Sequence, residues 1–307
     1  MRLKQLQGIF LAAIGALFWG ISGPIAQFLF TQYHMSLNWL VESKMLISGL
    51  LLLLLCLLLP KERKRLFAIW HSGRDVVALL IFMLGGMFAM QYIYYKAVAV
   101  GNAATATILQ FLSPVFIVVY TVFREHVHPR RPDLIAVLVA LSGTFLLVTG
   151  GNPTHLTMSP RALFWGVATG LAAAAYVLLP AKLLVKYGTL AISGWAMTIG
   201  GILFNFVQPI WRDVPHFDLI GHLGYWFVVL LGSVVAYTAY LASLDYISAT
   251  AVGLLDAFEP LAATTLSVLF LNVHFGWIQL IGALFILSTV FILALARPQP
   301  IDQQASS

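Results

Sequence analysis

The sequence of 307 residues is 61% hydrophobic and only 9% charged, with a formal charge of +6 and a mean hydropathy of +0.93. A soluble domain carries about 25% charged residues, so this composition excludes one. The basic residues lie in short segments between apolar stretches and form no basic face, which argues against a nucleic-acid partner, and a single cysteine, Cys56, excludes an intrachain disulfide.

In chain order, ten stretches reach the length of about 17–25 apolar residues that a bilayer-crossing helix needs. They run over residues 8–31, 37–59, 76–96, 102–123, 132–150, 161–181, 189–210, 224–244, 249–271 and 275–296. The expected fold class is therefore an all-α membrane protein of ten transmembrane helices. The first stretch is too long for the 7–15-residue apolar core of a signal peptide, and it reads as a span. Loops are short, and the polar segment 297–307 is expected to be a disordered tail.

Lysine and arginine set the expected orientation. With the N-terminus inside, thirteen fall in cytoplasmic segments (2, 4, 61, 63, 64, 65, 74, 124, 130, 131, 182, 186 and 297) and three, Lys96, Arg161 and Arg212, fall outside. This asymmetry predicts both termini in the cytoplasm. Trp39, Trp165, Trp211, Trp226 and Trp277 then fall at outer helix ends, where an interfacial belt is expected.

An internal repeat divides the chain. A shift of 146 residues superimposes Gln110 on Asp256, Pro114 on Pro260, Tyr94 on Tyr240 and Gly86 on Gly232. Small residues recur every fourth position in the first span (Gly8, Ala12, Ala16, Gly20) and again in the sixth (Ala162, Gly166, Gly170, Ala174), a pattern that ordinarily serves close helix packing. The chain reads as two five-span units, 1–150 and 151–296. Because five is odd, they enter the membrane from opposite sides, as inverted repeats of secondary transporters do.

The ninth span holds Leu255-Asp-Ala-Phe-Glu-Pro260, with two carboxylates near its middle. A charge at that depth costs about 2.5–3.5 kcal/mol on insertion scales and is usually retained for function. Pro260 cannot hydrogen-bond the carbonyl of Asp256, so a freed carbonyl and two acids are expected together. Asp256 and Glu259, three apart, are expected to share a helix face. Glu259 is the stronger candidate for binding a proton or a substrate ammonium, and Asp256 has hydrogen bonding to a neighbouring helix as its alternative. Glu42 and Lys44 lie about a turn below the outer surface and do not face each other, and Lys44 has the reach to snorkel outward. Trp19 is too deep for the interfacial belt, and Tyr94, Tyr95, Tyr176, Tyr237 and Tyr240 need hydroxyl partners within protein or cavity. Together they outline an aromatic enclosure.

The eight histidines all fall in loops or at span ends, so no mid-membrane metal cluster or Ser–His pair is expected, and no cofactor. No Gly-x-x-x-x-Gly-Lys-[Ser/Thr] loop for ATP occurs. The expected partners are a small-molecule substrate and the lipid bilayer, and energy has to come from a gradient.

Gly15-Ala-Leu-Phe-Trp-Gly20, Ala97 through Pro114, Phe123-Arg-Glu125 to Leu141-Ser-Gly143, and Phe258-Glu-Pro260 together resemble the EamA family of the drug/metabolite transporter superfamily over residues 8–296. The resemblance implies export or exchange of small metabolites, amino acids included, or of drugs, through a cavity formed by the first, third, fourth, sixth, eighth and ninth spans. It assigns lining roles to Trp19, Tyr94, Gln110, Tyr237 and Glu259. Tyr176, Tyr240 and Asp256 complete the substrate-binding candidates, and Lys44, Pro114 and Pro260 are candidates for gating or structural roles. Glu125 matches an acid the family places after the fourth span, and its arginine neighbours favour a structural ion pair. Lys44 stands where the family often has arginine. The expectation is a transporter in the cytoplasmic membrane, coupled to protons through Glu259, with an uncoupled facilitator, a non-translocating receptor and a membrane enzyme as rivals.

Overall fold

The computed structural model describes residues 2–126 and 128–295, without the side chains of Arg2, Leu3, Lys61, Glu125, Ala249 and Thr250. The expected tail at 297–307 and the side chain of Glu125 lie outside the described residues.

The described chain is helical throughout its spans, because a backbone in hydrocarbon has to satisfy its own hydrogen bonds. Arg2–Gln32 and Leu37–Leu58 form the first two spans, and the third covers Gly73–Val100. The fourth and fifth are Ala103–Arg124 and Arg131–Thr149, and the sixth is Pro160–Leu178. Leu219–Ser243, Ala251–Phe270 and Trp277–Leu295 are the eighth, ninth and tenth. Nine described helices are thus long and apolar enough to cross a membrane. The seventh span is shorter than expected. It runs over Thr189–Asn205 and meets a short helix, Ala181–Tyr187, at a bend of 118°. Gly188 forms the corner with φ of +83°, a conformation that disfavours any side chain. The chain turns at Phe206 because Gln208 and Pro209 begin a loop.

Packing follows the repeat. The first span packs on the eighth and ninth, and the sixth packs correspondingly on the third and fourth. The second pairs with the seventh and the fifth with the tenth. Helix starts are repeated as well. Ser72 and Asn102 accept from Asp75 N and Thr105 N, and their equivalents 146 residues on, Asp218 and Ser248, accept from Gly221 N and Ala251 N. Each cap satisfies one of the amides that a helix start leaves unpaired.

Two irregularities recur at matched positions. The third span winds into a π-helix over Met83–Phe88 and the eighth over Phe227–Val235. Each contains the glycine of its half, Gly86 or Gly232. Ser233 Oγ donates to Val228 O at 3.0 Å, holding the wider turn. The fourth span breaks at Phe111–Leu112, between Ala103–Gln110 and Ser113–Glu125, and the ninth at Asp256–Ala257, between Ala249–Leu255 and Phe258–Phe270. Both breaks fall just before the prolines, Pro114 and Pro260.

Glycines of the first and sixth spans admit these breaks. A Cβ on Gly20 would lie 2.2 Å from the carbonyl oxygen of Glu259, and one on Gly170 would lie 3.0 Å from that of Leu109. The small-residue ladders are therefore packing surfaces, and at Gly20 and Gly170 they receive backbone beside the breaks. Gly20→Ala is expected to lower the melting temperature of the detergent-solubilised protein by several degrees, since overpacking costs about 1–3 kcal/mol. Gly253→Ala, a helical site with nothing within 4 Å, is the control expected to leave melting unchanged.

Candidate functional site

The breaks bring the acids and aromatics of six spans together. Phe258–Phe270 starts at the second break with Glu259 in its first turn, where a helix N-terminus favours negative charge. Glu259 Oε1 accepts a hydrogen bond from Gln110 Nε2 at 3.2 Å, so the side chains flanking the two breaks meet. Asp256 Oδ2 accepts from the Tyr240 hydroxyl at 3.1 Å. The two acids bind different partners, on either side of the break at Asp256–Ala257. Asp256 Oδ1 and Gln110 Oε1 are buried with no hydrogen-bond partner among the described residues. An unmatched buried acceptor is costly, and here one lies on Asp256 itself and the other on the amide that holds Glu259.

The expected freed carbonyl is not free. Asp256 O accepts from Glu259 N at 2.9 Å. The chain closes the gap left by Pro260 with a tighter turn, since water is not at hand to do so. What the break exposes is side chains. Pro260 itself is buried, and Pro114 stands at the start of its own half-helix.

The aromatics form two linked groups, one around Trp19 and one at Tyr94 and Tyr95. Trp19 packs on Tyr237 at 5.3 Å and on Tyr240 at 5.1 Å between ring centroids. The Tyr176 hydroxyl donates to that of Tyr237 at 2.8 Å. Tyr94 shares a hydrogen bond with Thr107 Oγ1 at 3.0 Å and contacts Tyr95 edge to face at 5.2 Å. The eight candidates lie on the first, third, fourth, sixth, eighth and ninth spans, and Trp19, Tyr176, Tyr237, Tyr240 and Asp256 are linked in one chain of contacts.

Two expectations are corrected. Lys44 does not snorkel: it is 4% exposed and donates to Gln91 Oε1 at 2.7 Å. The second span is packed between the seventh span and the third, so its lysine stem points into protein. Trp39 is not part of an interfacial belt. It is buried, and its indole donates to Ile210 O at 2.8 Å. Glu42 is fully buried and accepts from Asn205 Nδ2 at 2.8 Å. Arg130 pairs with Asp133 at 3.0 Å.

The residues that sequence reasoning missed are those joining the halves at the two membrane faces. On the face where the first span begins, Lys186 Nζ and the Tyr187 hydroxyl donate to Asp75 Oδ2 at 2.6 and 2.7 Å, and Trp195 Nε1 donates to Leu66 O at 2.8 Å. On the opposite face the Tyr33 hydroxyl donates to Asp218, alongside the Trp39 bond. These are pairs 111 to 185 residues apart in sequence, and no local pattern marks them. Hydrogen bonding to Tyr33 holds the Asp218 carboxyl below its ordinary range, and the same bond raises the Tyr33 hydroxyl.

The EamA-like transporter family profile matches residues 6–149 and 160–295. A protein described as the uncharacterized inner membrane transporter YicL, from Salmonella typhimurium, is 36% identical over 292 residues, spanning 94% of this chain and 95% of its own. Protein PecM of Dickeya dadantii is 24% identical over 271 residues, 86% of this chain and 87% of its own. A solved crystal structure aligns over 97% of this chain and 98% of its own with a TM-score of 0.62 at 15% identity, a likeness of fold.

Breaking the face contacts separately is expected to open the enclosure from opposite sides. In a Cys56→Ser, Ser22→Cys background, Asp75→Asn should raise the rate of labelling by an impermeant thiol reagent from the face where the first span begins. Tyr33→Phe should raise it from the other face. A carboxyl held below its ordinary pKa contributes stability that is present above about pH 4 and lost as pH falls further. The melting difference between wild type and Tyr33→Phe should therefore be present at neutral pH and vanish below that value.

Proposed function

The chain belongs to the EamA-like transporter family, a multi-pass membrane transporter of a small solute, and from that premise we propose that it exports or exchanges a small organic metabolite by alternating access, with Glu259 as the coupling acid. The observation that carries this is the group at the paired helix breaks: Glu259 held by Gln110, Asp256 held by Tyr240, and two buried acceptors left without partners beside them. Such a group needs a donor, and a proton or a substrate ammonium supplies one. The aromatic wall of Trp19, Tyr94, Tyr176, Tyr237 and Tyr240 suits the apolar part of an organic solute and binds cations on its ring faces.

In the proposed cycle, substrate entering from the cytoplasmic face takes the place of the proton on the acids, and return of the proton from the other face releases it. Glu259 occupies an N-terminal helix turn, and Gln110 steadies its orientation while leaving Oε2 for the exchange. The scaffold supports the required motion. Five-span halves pack across one another in matched pairs, and the polar contacts between them at each face are few and surface-placed, so one set can part while the other closes. The thirteen-to-three distribution of Lys and Arg supports termini on the cytoplasmic side of the bacterial membrane.

In proteoliposomes containing only this protein, a radiolabelled panel of amino acids, nucleosides and cationic drugs should show accumulation or counterflow of at least one class, driven by a pH gradient. Glu259→Gln should lose gradient-driven accumulation by about tenfold or more, the scale of one charge-assisted hydrogen bond and its coupling. Unchanged rate and pH dependence in that variant would sink the coupling role. Exchange that persists at equal pH on both sides, with accumulation lost, identifies Glu259 with coupling alone.

A further inference from the structure

Lys44 is the one feature of the enclosure's surroundings that the acids do not explain. Its ammonium is 4% exposed, donates to Gln91 Oε1 at 2.7 Å and lies 5.1 Å above the centre of the Tyr95 ring. Both partners are neutral. The ion pairs among the described residues are Arg130–Asp133 and Lys186–Asp75, both at membrane faces. Glu42, two residues earlier on the same helix, turns to Asn205 of the seventh span, and Glu259 and Asp256 are engaged by Gln110 and Tyr240. Withdrawing an ammonium from water costs several kcal/mol, and one amide oxygen with one ring face offsets only part of that. An ammonium carries three donors, so the Gln91 bond leaves two.

The position joins the enclosure through Tyr95. Its ring lies under Lys44, its hydroxyl is 3.4 Å from Ser22 Oγ of the first span, and its edge meets Tyr94. The internal repeat sharpens the point. Residue 91 is Gln where its equivalent 146 residues on is Tyr237, while residues 110 and 113 are Gln and Ser where their equivalents are Asp256 and Glu259. The seventh span, which pairs with the second, contains no Lys, Arg, Asp or Glu. Among the described residues, the doubled scaffold thus buries a lysine only in its first half, beside Glu42 on the same helix, while Asp256 and Glu259 stand at the break of the second.

We propose that Lys44 is the anion-recognising pole of this site and takes a carboxylate of the substrate through the donors that Gln91 leaves free. Gln91 is its positioning residue, holding the ammonium against the Tyr95 face. The assignment rests on the enclosure being the substrate site and makes the substrate an organic acid or a zwitterion, with Glu259 and Asp256 reserved for the proton or for a cationic group.

The test measures binding by the purified protein in detergent, from the shift in melting temperature with 3-phenylpropionate, with the neutral 3-phenylpropanol, and with chloride at equal ionic strength. The carboxylate should stabilise the wild type saturably, with the alcohol and chloride failing to do so. Lys44→Met should weaken carboxylate affinity by about tenfold or more, as loss of a buried charge partner does, and Lys44→Arg should restore part of it. Should Lys44→Met melt too low to measure, Lys44→Met with Gln91→Leu removes both polar groups and keeps the packing. No stabilisation of the wild type by the carboxylate overturns the proposal, as does equal stabilisation by chloride or an unchanged affinity in the Lys44 variants. Because binding needs no translocation, Lys44-dependent carboxylate binding with no uptake into liposomes would overturn the transport reading and leave this assignment standing. Uptake with Lys44-independent binding does the reverse.

Discussion

No backbone group at the depth of the bilayer core can turn to water, and so a helix that stops there must be closed by protein. The fourth and ninth spans both stop there, and the structure around them follows from that one obligation. The tight turn bonding Glu259 N to Asp256 O closes the backbone of the ninth span. Gly20 in the first span and Gly170 in the sixth let a neighbouring helix lie against the broken segments at a distance no side chain permits. With the backbone satisfied from within, the carboxylates and amide at the breaks are left to side-chain chemistry. A straight helix would have set Asp256 and Glu259 on one face; the break sends them to Tyr240 and Gln110 separately.

The same economy explains why the site lies between the halves. Each half supplies a broken span, a π-wound span and a small-residue span, and none of these is complete without its counterpart across the interface. The first span receives the eighth and ninth, and the sixth receives the third and fourth. A wider π turn precedes Tyr94 and Tyr95 in the third span and Tyr237 and Tyr240 in the eighth, and it shifts the helical register of all that follows. Charge is distributed differently from scaffold. Asp256 and Glu259 stand at the break of the second half where the first has Gln110 and Ser113, and the buried lysine stands in the first half alone.

Much of this was written in the chain itself. Apolar length and low charge dictate membrane helices, because hydrocarbon tolerates little else, and the 146-residue shift reveals the doubled unit because matched positions face matched constraints. The acids at 256 and 259 and the deep tryptophan and tyrosines stand out for the same reason: each is too costly at that depth to be incidental. What the tertiary structure alone decided is how those groups are partnered. Lys44 is near enough to a span end to reach solvent, and only the packing of the second span between the third and the seventh turns it inward to Gln91. Trp39 has the composition of an interfacial residue and becomes a buried link between halves. The polar contacts at the two faces join residues more than a hundred positions apart. Sequence periodicity records how each helix meets lipid or protein in general. It holds no record of which particular helix lies opposite, and at this site that choice of neighbour sets the chemistry.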